Sequence, residues 1–176
     1  MEGIQIKRIK LDEIDQLQKI GRLTFHETYS ESNSDSEENM KKHLEEGFSK
    51  VKLTEELSNK SSEFYFAAID NDIIAYLKIN FGESQTEMKD EKSFEIERIY
   101  VLKEFHGKKV GQLLYEKAIH IAKEKESDYV WLGVWRKNIR AINFYKKNGF
   151  FEFDKHIFKL GNEEQTDIIM KLKLKN

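Results

Sequence analysis

The chain has 176 residues, 39% hydrophobic and 35% charged, which suits one folded domain with its own core and excludes a disordered polymer. A formal net charge of −2 gives no electrostatic case for nucleic acid and is compatible with a cationic small partner. The absence of cysteine excludes disulfides, a thiolate zinc site and a thiol nucleophile.

Met1 to Gln5 shows no apolar run behind a basic start, and no stretch reaches the ~18 apolar residues of a membrane span. The expectation is therefore a cytoplasmic protein, off the membrane, with no metal site. Gly3 to Ile9 reads as a first strand, and Leu11 to Thr28 as a helix with Leu11, Ile14, Leu17, Ile20 and Phe25 on one stripe. Glu31 to Glu38 is a polar cluster, read as a loop into a helix near Glu37 to Phe48, with a short helix at Val51 to Leu57. Glu63 to Ile69 and Ile73 to Phe81 form a hairpin about Asp70-Asn71-Asp72, because Asp and Asn tolerate turn geometry. Gly82 to Lys92 reads as polar and loosely held.

Phe94 to Leu102 is a strand. Strict alternation puts Phe94, Ile96, Arg98 and Tyr100 on one side and Glu95, Glu97, Ile99 and Val101 on the other. A helix follows with Val110, Leu113, Leu114, Ala118, Ile121 and Ala122 as its stripe. Tyr129 to Trp135 has the near-continuous apolar pattern of a strand buried on both faces. Phe150 to Leu160 and Asp167 to Leu174 are two last strands, with Glu163-Glu164 in the turn between them. The whole, residues 1–176, reads as a single α/β domain.

Chemistry concentrates between Phe94 and Phe150. The turn His106-Gly-Lys-Lys-Val-Gly111 opens a helix whose first N–H groups lack helical partners, and its two glycines let a ligand approach the backbone. The helix N-terminus and Lys108 and Lys109 favour a phosphate there. Ordinary turn chemistry is the competing explanation for that segment alone. Asn138 suits an N-cap, Ala141, Phe144 and Tyr145 share a face, and Gly149 suits a left-handed cap. Turn and helix together suggest group transfer from a nucleotide-carried donor, with the Tyr145 phenol as an acid.

Glu97-Arg-Ile-Tyr-Val101, His106 to Gly111 and Asn138 to Phe150, in that order, resemble the GCN5-related N-acetyltransferase (GNAT) superfamily. Leu132 to Asn138, Ala141 to Lys147 and Gly161 to Met170 look more narrowly like its PaiA-type polyamine acetyltransferases. The resemblance implies a mixed, mostly antiparallel sheet of six to seven strands, flanked by helices, with a central splayed parallel pair. It implies acetyl-CoA as cosubstrate, lying in the notch of that pair. The strand Ile99-Tyr100-Val101 would pair with the pantetheine arm, and the turn His106, Gly107, Lys108, Lys109, Val110, Gly111 and Gln112 would cradle the pyrophosphate. Asn138 would bond the arm, and Tyr145 would stand beside the sulfur and protonate it as it leaves. The family pattern Gln/Arg-x-x-Gly-x-Gly/Ala is only partly kept: His106 takes its first place and Lys109 its inner glycine, while Gly111 matches.

On this reading Glu97 is the proton acceptor for the amine, directly or through water, with Glu95 in reserve; a Glu97 merely paired with a lysine or arginine is the alternative. The first helices would select the acceptor, with Glu27 and Tyr29 at the end of the first long helix near it and His26 beside them on the surface or in a structural role; Trp135 would wall the acceptor channel, Trp131 lie in the core, and Glu31, Asp35, Glu37 and Glu38 form a solvated loop. The implied partner is a small-molecule amine, spermidine or spermine foremost, with a homodimer one open oligomeric state. A protein or peptide acetyltransferase and a CoA-binding module without turnover are the other readings, with a purely structural domain a last one that leaves the glycine turn and the Asn138-to-Tyr145 helix without a purpose.

Overall fold

The computed structural model describes residues 3–30, 37–160 and 163–174. Seven strands form one sheet in the order β1-β2-β3-β4-β5-β7-β6. They are β1 (Gln5–Arg8), β2 (Ser62–Ile69), β3 (Asp72–Phe81), β4 (Ser93–Val101), β5 (Tyr129–Trp135), β6 (Phe151–Leu160) and β7 (Glu163–Lys173). Helices α1 (Ile14–Ser30), α2 (Glu37–Gly47) and α3 (Lys50–Ser58) precede β2, while α4 (Val110–Glu124) and α5 (Ile139–Lys147) flank β5 in sequence. All neighbouring strands are antiparallel except β4 and β5.

The hairpin forms where the sequence places it: Asp70 and Asn71 both have positive φ, 49° and 75°, the geometry whose twist matches that of the flanking strands. The segment after β3 is better anchored than its polarity suggests. Gln85 is buried and accepts from Trp131 Nε1 at 2.8 Å and from Ser93 Oγ at 2.8 Å. Glu163 and Glu164 lie in β7, paired with Leu160 and Lys159, rather than in a turn. The polar cluster 31–36 falls outside the described residues.

Two apolar layers sandwich the sheet. One contains Leu114, Ala118, Ile121, Ile142 and Tyr145 from α4 and α5, against Phe94, Ile96, Val130, Leu132, Val134 and Met170. The other contains Leu17, Ile20 and Phe25 of α1, Leu53 of α3 and Phe48, against Phe64, Phe66 and Tyr76. Gly21 permits this second packing, since a Cβ there would meet the Phe48 ring at 2.5 Å.

Strand β4 departs from strict alternation. Its pairing with β3 runs Lys78↔Arg98 and then Ile79↔Ile96, which leaves Glu97 as an extra residue in a β-bulge. Phe94 and Ile96 therefore share a layer with Ile99 and Val101, while Tyr100 packs with the layer of α1. The expected grouping of Phe94 and Ile96 with Arg98 and Tyr100 is corrected accordingly: one inserted residue reverses the face of everything after it.

Candidate active site

The parallel strands β4 and β5 pair only at Ser93↔Tyr129, Phe94↔Val130 and Glu95↔Trp131. Beyond that point the two strands no longer pair with each other, although β4 runs on to Val101 against β3 and β5 to Trp135 against β7, so the sheet opens at its centre. The backbone register says which groups face the opening. Leu102 N donates to Ile74 O at 3.0 Å, and Tyr76 pairs with Tyr100 two residues along, so Leu102 and Tyr100 direct their backbone groups to β3. Those of Ile99 and Val101, alternating with them, face β5 and the gap.

A cavity of about 740 Å³ fills this opening. Of the residues expected to hold a donor, Ile99, Tyr100, Val101, His106, Gly107, Lys109, Val110, Gly111, Gln112, Asn138 and Tyr145 line it. Lys108 and Glu97 are not among them. Lys108 N donates to Phe105 O at 3.3 Å, and its ammonium sits over the Phe105 ring, 4.9 Å from the centroid. Thr28 from α1 also lines the cavity, so it reaches both sides of the sheet.

The loop before α4 keeps the shape that its missing glycine would allow. Gly107 has φ 76°, and Lys109, the N-cap, adopts φ 63° although it carries a side chain. This conformation costs roughly 1–2 kcal/mol for a non-glycine residue. Among the described residues, the N–H groups of Val110, Gly111 and Gln112 find no acceptor, and they point outward as a helix N-terminus requires. His106 closes the turn: Nε2 lies 2.8 Å from Val101 O, and Arg140 donates to Nδ1. With Arg140 as donor, Nδ1 is the acceptor and Nε2–H the donor.

Asn138 caps α5, its Oδ1 accepting from Ala141 N at 3.1 Å, and Gly149 ends the helix at φ 90°. Between these caps Tyr145 is buried, edge-on to Phe144 and Phe150. Burial, with Tyr100 and Tyr115 nearby, raises its phenol well above the ordinary value, so it remains protonated near neutral pH. Among the described residues its hydroxyl has no hydrogen-bond partner, which leaves the proton free to be given.

Sequence reasoning did not single out Arg140, Lys147, Glu116 or Asn148, all of which line the cavity. The signal was present: Arg140, Phe144 and Lys147 recur at helical spacing on the face of α5 that carries Ala141. Gln112 Nε2 bonds Asn148 Oδ1 at 3.1 Å and so ties α4 to α5 across the cavity wall.

The two candidate carboxylates differ in surroundings. Glu97 bonds Lys78 Nζ at 2.6 Å, Arg98 Nη2 at 2.8 Å and Asn80 Nδ2 at 2.6 Å. Burial alone would raise its pKa, but Arg98 and Lys78 overcome that and hold it down at about 2. Glu97 is thus ion-paired, as the alternative reading has it, and is a weak proton acceptor. Glu95 is pushed up by burial, yet accepts from Thr86 Oγ1 at 2.5 Å and from Thr86 N and Asn80 Nδ2 at 2.9 Å. Neither lines the cavity. Of the acceptor-side candidates, His26 is exposed, Glu27 accepts from Lys103 N at 2.9 Å, and Tyr29 packs against Trp135 at a tilt, with ring centroids 4.8 Å apart.

A sheet split between two parallel strands, with a helix N-terminus at one end and a phenol inside, defines a group-transfer enzyme whose donor carries phosphate. The acetyltransferase (GNAT) family model matches residues 19–150, and the chain belongs to that family. An uncharacterized N-acetyltransferase from the pepI 3′ region of Lactobacillus delbrueckii subsp. lactis is 36% identical over 97% of this chain and 98% of its own. A spermidine N(1)-acetyltransferase of Thermoplasma acidophilum is 27% identical over 97% of this chain and 98% of its own. The crystal structure of a PaiA N-acetyltransferase from Thermoplasma acidophilum, in complex with coenzyme A, superposes with a TM-score of 0.79 at 28% identity, covering 97% of this chain and 99% of that one.

Proposed function

We propose that this acetyltransferase moves the acetyl group of acetyl-CoA to a primary amine of a polyamine of the spermidine class, by direct attack in a ternary complex. The observation that carries this reading is the loss of β4–β5 pairing beyond Glu95 and Trp131, which opens a cavity from α1 through the sheet to the start of α4. The pantetheine arm fits that gap as an added strand, bonding the backbone of Ile99. The N–H groups of Val110, Gly111 and Gln112 face the pyrophosphate, with Lys109, Arg140 and Lys147 supplying positive charge around the same cavity.

The chemistry then divides between the two faces. A primary amine has a pKa of about 10.4, so only ~1 in 2,500 molecules is neutral at pH 7, and the nitrogen must lose a proton before attack. Tyr145, on the opposite side of the opening, protonates the sulfur as the C–S bond breaks. Backbone N–H groups at the gap receive the oxyanion. Glu97 serves this scheme by position: its bulge and its pairs with Lys78 and Arg98 fix where β4 turns away from β5.

Support for a polyamine comes from the full-length similarity to the spermidine acetyltransferase and from Tyr100, an aromatic side chain lining the cavity beside which an alkylammonium chain could lie. The test is thiol release from acetyl-CoA with spermidine, spermine, a lysine peptide and a free N-terminal peptide. Turnover with the polyamines at a kcat/KM at least about tenfold above either peptide is the expected result, a margin of about 1.4 kcal/mol. Turnover with a peptide alone would replace the polyamine by a protein acceptor, and none with any amine would favour a CoA-binding module.

A further inference from the structure

Strand β7 carries a side chain that none of the chemistry above uses. Ile168 and Met170 join the layer under α4 and α5, so Gln165 and Asp167 face the acceptor side. Gln165 accepts from Trp135 Nε1 at 2.8 Å and fixes that ring, against which Tyr29 packs at a tilt. Asp167 pairs in register with Trp135 on β5 and His156 on β6. Its carboxylate extends over β5 at Gly133: a Cβ built there would lie 3.6 Å from Asp167 Oδ2. Gly133 stands two residues past the last β4–β5 pair, and its missing side chain leaves room over β5 beside the Asp167 carboxylate; like Glu95 and Glu97, Asp167 is not among the residues lining the cavity. Asp167 also lies close enough to Tyr100, across the opening, to act on its phenol electrostatically.

We propose that Asp167 is the acceptor-side carboxylate: it holds the substrate ammonium beside the opening of the sheet and takes its proton before nitrogen attacks the thioester. The assignment rests on the amine-acetyltransferase reading above. Among the described residues the Asp167 carboxylate has no hydrogen-bond or salt-bridge partner, unlike those of Glu95 and Glu97. The groups facing it are His156, Glu87, Tyr100 and Trp135, with Lys137 over the Trp135 ring at 5.6 Å; His156 is itself paired with Glu87, Nδ1 to Oε1 2.5 Å. Burial pushes the Asp167 carboxyl up to about 6, with His156 pulling it down and Glu87 raising it. Glu97 is shifted the opposite way, held down by Arg98 and Lys78, so of the two carboxylates Asp167 is the better proton acceptor.

The step balances. One proton passes from R–NH₃⁺ to Asp167, giving R–NH₂. The nitrogen lone pair forms the C–N bond, the C–S bond breaks with its electron pair leaving on sulfur, and sulfur takes the Tyr145 proton. The second nitrogen proton restores the Tyr145 phenol through water, and the proton on Asp167 goes to solvent.

The experiment measures thiol release from about pH 6 to about pH 9.5 for wild type, Asp167→Asn and Gly133→Ala, using the best amine of the panel above, with spermidine binding to the CoA complex followed by calorimetry. The expected result is a wild-type kcat/KM that levels off above about pH 7, and an Asp167→Asn value about 10²–10⁴-fold lower at neutral pH that climbs about tenfold per pH unit with the neutral amine. The KM for acetyl-CoA stays unchanged. Asp167→Asn activity within about threefold of wild type, with the same profile, overturns the assignment. An acceptor other than a polyamine would overturn the proposed substrate and leave Asp167 judged on that acceptor. If no amine turns over, equal spermidine affinity in wild type and Asp167→Asn overturns it, and weakening of about tenfold or more supports it. Should Asp167→Asn not fold, Gly133→Ala decides: its methyl narrows the approach, so a severalfold rise in amine KM supports the assignment and an unchanged KM overturns it.

Discussion

Tyr145 is the residue on which turnover should depend most simply. Its ring is fixed by Phe144 and Phe150, so removing the hydroxyl leaves the packing in place. Tyr145→Phe should lower kcat about 10²–10⁴-fold with acetyl-CoA affinity held, as read by thiol release alongside calorimetry. The carboxylates make opposite contributions to stability. Glu97 is lowered from 4.5 to about 2, so its contribution is complete above pH 4.5 and disappears as pH falls toward 2. Glu97→Gln leaves Lys78 and Arg98 short of a partner and should cost about 3 kcal/mol at neutral pH in urea unfolding. Asp167 is raised from 3.8 to about 6, so the folded state holds its proton longer and stability falls as pH rises through that window. Asp167→Asn should therefore stabilise the protein above pH 6, by about 1–3 kcal/mol, with no gain below about pH 4. A substitution that slows the reaction while stabilising the fold marks strain kept for function.

At the scale of elements, the start of α4 combines a strained residue with unmatched N–H groups. Lys109 holds φ 63° without the glycine that would relieve it. Lys109→Gly should gain about 1 kcal/mol and raise the thermal midpoint by about 2–4 °C. A midpoint that falls would show that the lysine side chain contributes more than its backbone costs. The contact of α1 with Phe48 is the converse case. Gly21→Ala gains about 1 kcal/mol of helix propensity but drives a methyl into a buried ring, where overpacking costs about 1–3 kcal/mol. The net effect in thermal unfolding should be destabilising, since Phe48 is also held by Phe25 and by Arg98 over its face.

For the molecule as a whole, what the sequence announced and what it hid divide along physical lines. Local signals were legible: the continuous apolar run of β5, the Asp70-Asn71 turn, and the Asn138 and Gly149 caps of α5 all lie where their chemistry puts them. Nearly all the residues expected around the donor line one cavity, because they sit at the ends of those well-marked elements. The bulge at Glu97 was not legible. It is a property of two strands in register, and no single-strand pattern carries it, so alternation assigned the wrong faces to half of β4. Asp167 was hidden for a related reason: its place beside Gly133 arises from β5–β7 pairing across 34 residues of chain.

That same pairing geometry leaves Ile99 without a strand neighbour on the β5 side, and amide hydrogen exchange with and without CoA reads this directly. Protection should appear on adding CoA at the amides of Ile99 and of Val110, Gly111 and Gln112, while those of Phe94 and Glu95, already within the paired part of the sheet, stay as they were. Exchange at Ile99 that ignores CoA, with protection gathered elsewhere on the surface, would contradict a cosubstrate seated in the split.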